Sequence, residues 1–176
     1  MFFLWADLEM SGLDVDKCAI LEFAAIITDK DSICKAQFES VVYQPQKVLD
    51  EMDSWCTEHH GQSGLTAAVP NGKPLEQVEE EVIEFMRPYR RGNEQMIICG
   101  NSIHNDRRFI ERYMPKLDAI LHYRMLDVSS FKVVFSAMGA PRFEKKGSHR
   151  AVDDIKESIA ELEYYKKFVD QSWRSN

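Results

Sequence analysis

Three apolar runs at the start of the chain predict β-strands. They cover residues 2–10, 18–28 and 36–43, and the third is rich in β-branched and aromatic residues. Polar turn signals at residues 11–16 and 29–32 leave only short connections between the runs. Because consecutive strands with short connections pair antiparallel, the pattern predicts a three-stranded antiparallel meander.

A helical period replaces the strand pattern further along the chain. Pro74 is well placed to open a helix, and Pro88 and Gly92 end the periodic segment. The apolar face between them consists of Leu75, Val78, Val82, Phe85 and Met86. The clearest helix begins at Ala151. Its apolar stripe consists of Ala151, Val152, Ile155, Ile159 and Leu162.

Two short apolar runs, at residues 96–99 and 125–128, predict further buried strands. Each precedes a predicted helix, at about residues 105–113 and at residues 129–139. The chain is therefore predicted to be α/β, with a mixed β-sheet of an antiparallel three-strand meander plus parallel strands, flanked by helices. No internal repeat and no linker divides it, so residues 1–176 are expected to form a single domain.

Composition and charge narrow the functional classes. Hydrophobic residues make up 44% of the chain and aromatic residues 11%, which excludes wholesale disorder. Twenty-two basic residues against 29 acidic ones give a net charge of −7. A general binder of long nucleic acid needs a broad basic surface, so the charge argues against that class. A small local site for a short anion remains compatible with it.

The cysteines and the apolar segments indicate the kind of cellular compartment in which the protein is expected. Cys18, Cys34, Cys56 and Cys99 contain no C-x-x-C pair, so reduced thiols in a reducing compartment are expected rather than a zinc ribbon. No run approaches the length of a membrane span. The sequence indicates neither a signal peptide nor an Arg-rich presequence. These features predict a protein of a reducing compartment such as the cytosol, the nucleus or the mitochondrial matrix, with no membrane association.

Asp7 and Glu9 interrupt the first apolar run, two residues apart. Since side chains alternate along a strand, both carboxylates are expected on one face. A buried charge needs a partner or a metal. The alternative is a half-exposed strand whose polar residues face solvent, but the preceding apolar segment favours a central strand.

Two more acidic residues and one histidine stand at predicted helix starts. Asp106 begins the helix after the fourth strand, and Asp154 lies in the first turns of the last helix, five residues after His149. Either carboxylate alone is commonly a charge that complements a helix dipole. Together with Asp7 and Glu9 they form the oxygen-ligand set that two Mg²⁺ ions need, balancing four negative charges against four positive ones. A neutral His149 could take a proton from water near neutral pH.

This ordered set resembles the DEDDh 3′→5′ exonucleases, and more closely the oligoribonucleases, with one segment similar to the animal mitochondrial and cytosolic form. The resemblance covers almost the whole chain. Its matching stretches are ADLEMSGLD (6–14), MDSWCTEHHGQSGL (52–65), CGNSIHNDRRF (99–109), YMP (113–115), HYRMLDVSSFK (122–132) and SHRAVDDIKESIAELEYY (148–165). The resemblance implies an RNase H-like fold and two divalent metal ions, Mg²⁺ or Mn²⁺.

The resemblance also implies a role for each catalytic-type residue. Asp7 matches the carboxylate that bridges both metals. Glu9 and Asp154 match ligands of the metal that binds the attacking water, and Asp106 matches the carboxylate that serves the second metal. His149 matches the general base.

Three residues match contacts to the nucleobases of a short substrate. Leu13 matches a wedge between two bases, Trp55 an aromatic residue that stacks on a base, and His60 a polar residue near the substrate. Stacking on an aromatic face is independent of base sequence. The alternatives are that Trp55 belongs to the core and that His60, beside His59, is one of a surface pair.

A second group matches the cap on the 5′-phosphate of the substrate. It consists of Ser102, Arg124 and Ser129, and one guanidinium with two hydroxyls suits a terminal phosphate. Arg124 could instead form a surface ion pair. Tyr123 matches a residue that the family presents from the other protomer, so the resemblance implies a homodimer.

The implied activity is 3′→5′ hydrolysis of short oligoribonucleotides, especially dinucleotides, to 5′-mononucleotides. The acidic net charge favours a short substrate, because a dinucleotide needs no long basic track. One alternative is a DEDDh exonuclease that acts on longer RNA or on DNA 3′ ends. A second is a non-catalytic RNA-binding protein on the same fold, against which the complete catalytic set argues.

Overall fold

The computed structural model describes residues 1–144 and 151–169. Its centre is a five-stranded sheet in the order β3-β2-β1-β4-β5. The strands are β1 (Phe2–Met10), β2 (Ile20–Asp29), β3 (Cys34–Val41), β4 (Met96–Gly100) and β5 (Leu121–Asp127). The first three pair antiparallel, whereas β4 pairs parallel with both β1 and β5. The predicted mixed sheet with its antiparallel meander is therefore confirmed.

Eight α-helices connect and cover the strands. They are α1 (Gln46–Asp50), α2 (Ser54–Ser63), α3 (Leu65–Ala68), α4 (Leu75–Met86), α5 (His104–Tyr113), α6 (Pro115–Asp118), α7 (Val128–Ala137) and α8 (Ala151–Lys166), among the residues that the structure describes. Helices α4 and α8 begin at the residues that their apolar periodicity predicts. Helix α7 ends before Gly139, whose φ of 85° is left-handed and closes the helical segment.

The last strand differs from the prediction, which placed it at residues 125–128. It begins at Leu121, and Tyr123 and Arg124 within it are exposed on the edge of the sheet. A search for buried apolar runs misses such residues, because an edge strand carries polar and aromatic side chains toward solvent. The strand ends at Asp127 because this side chain caps α7, accepting a hydrogen bond from the backbone N–H of Ser129.

Strand β1 lies at the centre of the sheet and carries apolar side chains to both faces. Leu4, Ala6 and Leu8 belong to the larger core, which includes residues of α4 and α5. Trp5 belongs to a second core on the opposite face, under α8, with Ile155 among its members. Since side chains alternate along a strand, Asp7 and Glu9 continue the face of Trp5 that α8 covers. The fold thereby brings the N-terminal turns of α8 over these two carboxylates.

The carboxyl ends of the three parallel strands meet at one edge of the sheet. Gly100 ends β4 so close to β1 that a Cβ atom built on it would lie 2.9 Å from the carbonyl oxygen of Ala6. A side chain at this position would therefore push the two strands apart. Ligand sites in sheets of this kind form at this edge. Within the described residues, no helix is both long and apolar enough to cross a membrane.

Candidate active site

Three acidic side chains converge at the end of β1. Ligand atoms of Asp7, Glu9 and Asp154 all lie within 4.8 Å of one another. Asp7 and Glu9 share one face of the sheet because side chains alternate along β1. Helix α8 packs on that face and brings Asp154 to them. Carboxylate oxygens at this spacing are the hard donors that Mg²⁺ and Mn²⁺ prefer. The donor set therefore fits a divalent cation.

The fourth predicted carboxylate, Asp106, stands in the first turn of α5. Its side chain is only 6% exposed, and its Oδ1 accepts a hydrogen bond from the backbone N–H of Leu8 at 2.8 Å. Burial raises the pKa of Asp106 to about 7, although the N–H of Leu8 acts in the opposite direction. Asp106 thus lies against the backbone of β1, at the residue that separates Asp7 from Glu9.

Glu9 lies in the most crowded electrostatic environment of the site. Burial is the main factor that raises its pKa to about 7, and repulsion from Glu22, Asp154 and Asp106 adds to it. Glu22 faces Glu9 directly across the β1–β2 pairing. Like charges that crowd in this way disfavour ionisation, and a bound cation would reverse that effect.

His60 is buried against the cluster instead of standing on the surface. Its Nε2 lies 2.9 Å from the carbonyl oxygen of Met10, so this nitrogen carries the hydrogen and donates it. Its Nδ1 then faces the carboxylate of Glu9, 3.8 Å from Oε2. The interpretation of His59 and His60 as a surface pair is therefore wrong, because His60 is buried and His59 is half-buried.

A cavity of about 480 Å³ opens beside Glu9 and His60. Leu13 and Trp55 line it and are 64% and 60% exposed. The Trp55 ring stacks on His59 with their centroids 3.9 Å apart. Because Trp55 is largely exposed, the alternative that it belongs to the core is wrong. An exposed aromatic face and an apolar side chain beside the carboxylates form a surface on which a nucleobase can stack.

Ser102 and Ser129 lie together at the ends of β4 and β5. Their hydroxyl oxygens are 3.2 Å apart, and the backbone N–H of Ser102 donates to Ser129 Oγ at 2.9 Å. Ser102 has a left-handed φ of 51°, which is uncommon outside glycine and is found most often at functional sites. Two hydroxyls at this separation can bind two oxygens of one anion.

Asp127 holds this serine pair in place, and sequence reasoning missed it. One carboxylate oxygen, Oδ1, accepts hydrogen bonds from the backbone N–H groups of both Ser102 and Ser129, each at 2.9 Å. Its other oxygen lies 3.6 Å from Nδ1 of His104. The sequence signal for it is an aspartate directly before a predicted helix, the usual pattern of an N-terminal cap.

Tyr123 and Arg124 lie further back along β5 than the serine pair. The Arg124 guanidinium stands over the Tyr123 ring, 4.7 Å from its centroid. Arg124 also lines a cavity with Phe2 and Met96, at the beginning of the parallel strands. The structure thus brings Ser102 and Ser129 together but places Arg124 toward the other end of the strand. Tyr123 is 71% exposed on the sheet edge.

His149, the candidate general base, lies outside the described residues. It precedes the first residue of α8 by two positions in the sequence.

Comparison with known proteins gives the family. The sequence model of the family described as Exonuclease matches residues 4–162. The chain is 48% identical over 170 residues to the oligoribonuclease of Francisella tularensis, and the match covers 93% of each chain. It is 42% identical over 182 residues to the mitochondrial oligoribonuclease of Homo sapiens, with 97% of this chain and 76% of that one covered.

Solved structures agree on the fold. A zinc-bound complex of E. coli exonuclease I with single-stranded DNA is similar with a TM-score of 0.73 and 13% identity, over 99% of this chain and 42% of that chain. Cell-death related nuclease 4 is similar with a TM-score of 0.69 and 14% identity, over 99% and 70%. The chain spans about two fifths of the length of that exonuclease I. The chain therefore has the RNase H-like exonuclease fold, belongs to the oligoribonuclease family, and is a metal-dependent 3′→5′ exonuclease.

Proposed function

We propose that this protein is an exoribonuclease that hydrolyses short oligoribonucleotides, down to dinucleotides, to 5′-mononucleotides. The observation that carries the proposal is the short distance between a carboxylate cluster and a stacking cavity, since Glu9 contributes to both. The relatives named oligoribonuclease support RNA as the substrate. We also propose that residues 1–176 form one exonuclease domain and that the protein acts in mitochondria or the cytoplasm.

Two divalent cations, Mg²⁺ or Mn²⁺, would be held by the four carboxylates. Asp7 would contact both, Glu9 and Asp154 would complete the site for the attacking water, and Asp106 would serve the second ion. Such ions make water a nucleophile at neutral pH and neutralise the charge that develops on a leaving oxygen.

The side chains of this chain would divide the remaining work. His149 would accept the proton of the attacking water as the general base. The hydrogen bond to Met10 fixes the ring of His60, whose Nδ1 faces Glu9. His60 would thereby border the site of the scissile nucleotide beside Glu9.

Two sets of contacts would select a short substrate. Leu13 would insert between the two bases, and the indole of Trp55 would stack on one of them. Stacking of this kind does not depend on the base sequence. Ser102 and Ser129 would bind the 5′-phosphate of a dinucleotide. Arg124, whose guanidinium lies toward the other end of β5 in this structure, would have to turn toward that phosphate to join them. A phosphate site that closes one nucleotide away from the scissile bond would leave no path for a longer chain.

We propose a homodimer that joins through β5 and α7. Several of the large apolar side chains that remain exposed among the described residues lie on these two elements: Tyr123, Met125, Val133, Val134 and Met138. Exposed apolar clusters of this kind mark interfaces. A second copy is the occupant that the family resemblance favours, and it would bring its own Tyr123 to the edge of the site.

The proposed function is tested with a 5′-phosphorylated diribonucleotide. Purified protein should convert it into two 5′-mononucleotides in Mg²⁺ and leave it intact in a chelator. Stable binding without turnover in Mg²⁺ would support the RNA-binding alternative and overturn the proposal.

A further inference from the structure

A chain of hydrogen bonds joins the serine pair at the end of the sheet to the helix that carries Asp154. Ser129 Oγ donates to Asn101 Oδ1 at 3.3 Å. The side-chain amide of Asn101 donates to Ser158 Oγ at 2.8 Å. Ser158 Oγ then donates to the backbone carbonyl oxygen of Asp154 at 3.0 Å. Asn101 thus stands between the proposed phosphate site and a proposed metal ligand. We call this chain of hydrogen bonds, from Ser129 through Asn101 and Ser158 to Asp154, the relay.

The surroundings of Asn101 fix which way its amide points. Its Nδ2 also donates to Glu161 Oε2 at 3.1 Å, and a carboxylate only accepts hydrogen bonds. The NH₂ group must therefore face α8, and the oxygen must face Ser129. Ser158 and Glu161 are 6% and 1% exposed. Water does not readily replace partners that are buried to this degree, so each bond is costly to lose.

The hydroxyl of Ser129 has a single hydrogen to donate. A phosphate bound at the serine pair would compete with Asn101 Oδ1 for that hydrogen. Its oxygen already accepts from the backbone N–H of Ser102 at 2.9 Å. In the present structure the hydrogen serves Asn101. A phosphate bound to Ser102 and Ser129 would take that hydrogen, because a hydrogen bond to an anion is stronger than one to an amide. Asn101 would then lose its donor, and its bonds toward α8 would adjust.

We propose that Asn101 is a positioning residue that couples occupancy of the phosphate site to the position of Asp154 through Ser158. The proposal rests on the proposed function, since it assigns the 5′-phosphate of the substrate to Ser102 and Ser129. Coupling of this kind makes catalysis depend on the correct end of the correct substrate. It goes beyond simple affinity, because the phosphate then acts on the rate of the chemical step as well as on binding.

The test uses Ser158→Ala, which removes the link to Asp154 but leaves the bond between Asn101 and Glu161. Steady-state hydrolysis of a 5′-phosphorylated diribonucleotide is compared with that of the 5′-hydroxyl form at saturating Mg²⁺. The expected result is a fall of about fivefold in kcat for the phosphorylated substrate, the effect of one hydrogen bond. KM should stay within about twofold, and kcat for the 5′-hydroxyl substrate should change less than about twofold, since no phosphate engages the relay there.

Three further variants control the experiment. Ser158→Thr retains the hydroxyl and should restore the preference for the phosphorylated substrate. Asn101→Ala breaks the relay at its centre and should reproduce the loss seen in Ser158→Ala. Asn71→Ala removes an exposed amide that lies before α4, outside β5 and α7, and should change the hydrolysis of neither substrate.

Equal losses on both substrates in Ser158→Ala, or no loss on either, would overturn the coupling. These outcomes differ from a failure of the proposed function. A wild-type protein that treats the two dinucleotides alike would overturn both the phosphate site and the relay. A wild-type preference that persists unchanged in Ser158→Ala would overturn the relay alone.

Discussion

The carboxylate of Asp106 accepts a hydrogen bond from the backbone N–H of Leu8 at 2.8 Å. This bond ties the first turn of α5 to the strand that carries Asp7 and Glu9, across 98 positions of sequence. It also explains how a carboxylate only 6% exposed is accommodated in the fold, because one of its oxygens is paired. Repulsion from Asp106 also helps to raise the pKa of Glu9, so the two carboxylates form an electrostatic unit that affects both stability and metal binding.

This unit predicts an unusual pH dependence of stability. The pKa values of Glu9 and Asp106 are raised to about 7 in the fold, whereas both carboxyls titrate near about 4 in the unfolded chain. Between these values the unfolded state releases protons that the folded state keeps, so stability falls as pH rises. In a chelator, the melting temperature should therefore decrease from pH 5 to pH 8. Mg²⁺ should reverse the decrease, with its largest effect above pH 7.

The variant Asp106→Asn tests whether the pH dependence of stability comes from this pair of carboxylates or from the net charge of the protein. The asparagine oxygen can still accept the N–H of Leu8, but it carries no charge. We expect the variant to lose about half of the pH dependence in chelator and most of the response to Mg²⁺. An unchanged slope in differential scanning fluorimetry would contradict the assignment of the pH dependence to this pair.

The metal-ligand role of Asp154 predicts a loss of activity without a loss of fold. Asp154→Asn should reduce turnover at least about 1,000-fold, since a ligand of the ion that activates water is lost. The melting temperature in chelator should stay near that of the wild type or rise, because one of three crowded charges is removed. Asp153→Asn is the matched control. This neighbouring carboxylate pairs with Lys156 at 3.0 Å on the surface, and its replacement should leave turnover unchanged.

Base stacking on Trp55 predicts a substrate effect that is separate from stability. Trp55→Ala should lower kcat/KM for a dinucleotide about five- to a hundredfold, since stacking contributes about 1–3 kcal/mol per base. Trp55→Phe should recover much of the loss. The melting temperature should hardly change, because the ring is 60% exposed. Tyr43→Ala removes another half-exposed ring, outside the lining of this cavity, and should have no effect on kcat/KM.

The dimer proposal predicts that a charge on the exposed face of α7 separates the protomers. Val133 and Met138 are 69% and 74% exposed, so Val133→Glu and Met138→Glu should fold. Analytical ultracentrifugation should show a monomer for these variants and a dimer for the wild type. Ile33→Glu places the same charge on a residue that is 57% exposed at the β2–β3 turn. This control should remain dimeric, and a dimer in all three variants would contradict the interface.

Much of the fold follows from the pattern of apolar residues, because β1 and β2 are nearly continuous apolar runs and α4 and α8 each bury a regular face. The region of α1 to α3 could not be predicted in this way. Helix α2 is largely polar and starts where the Asp53 side chain accepts the backbone N–H of Cys56. A small apolar cluster of Leu21, Leu49 and Leu65 packs α1 and α3 against the beginning of β2. These contacts are tertiary and leave no periodic trace in the sequence.

The candidate site also contains some residues that the sequence alone reveals and others that it does not. Asp7 and Glu9 stand out in the sequence because charges are rare in a central strand. Asp127 and Asn101 do not stand out, because a capping aspartate and a loop asparagine are common everywhere. Their importance comes from hydrogen bonds to partners that are distant in sequence, such as Ser102 and Ser158.

The central claim is that a metal-dependent site in this protein is closed to long chains. The most direct measurement is hydrolysis of 5′-phosphorylated RNAs of two, five and twenty nucleotides, side by side in Mg²⁺. The account predicts fast cleavage of the dinucleotide and little attack on the 20-mer, with no cleavage in chelator. Equal or faster cleavage of the 20-mer would keep the metal chemistry but contradict the phosphate cap, leaving a general 3′→5′ exonuclease.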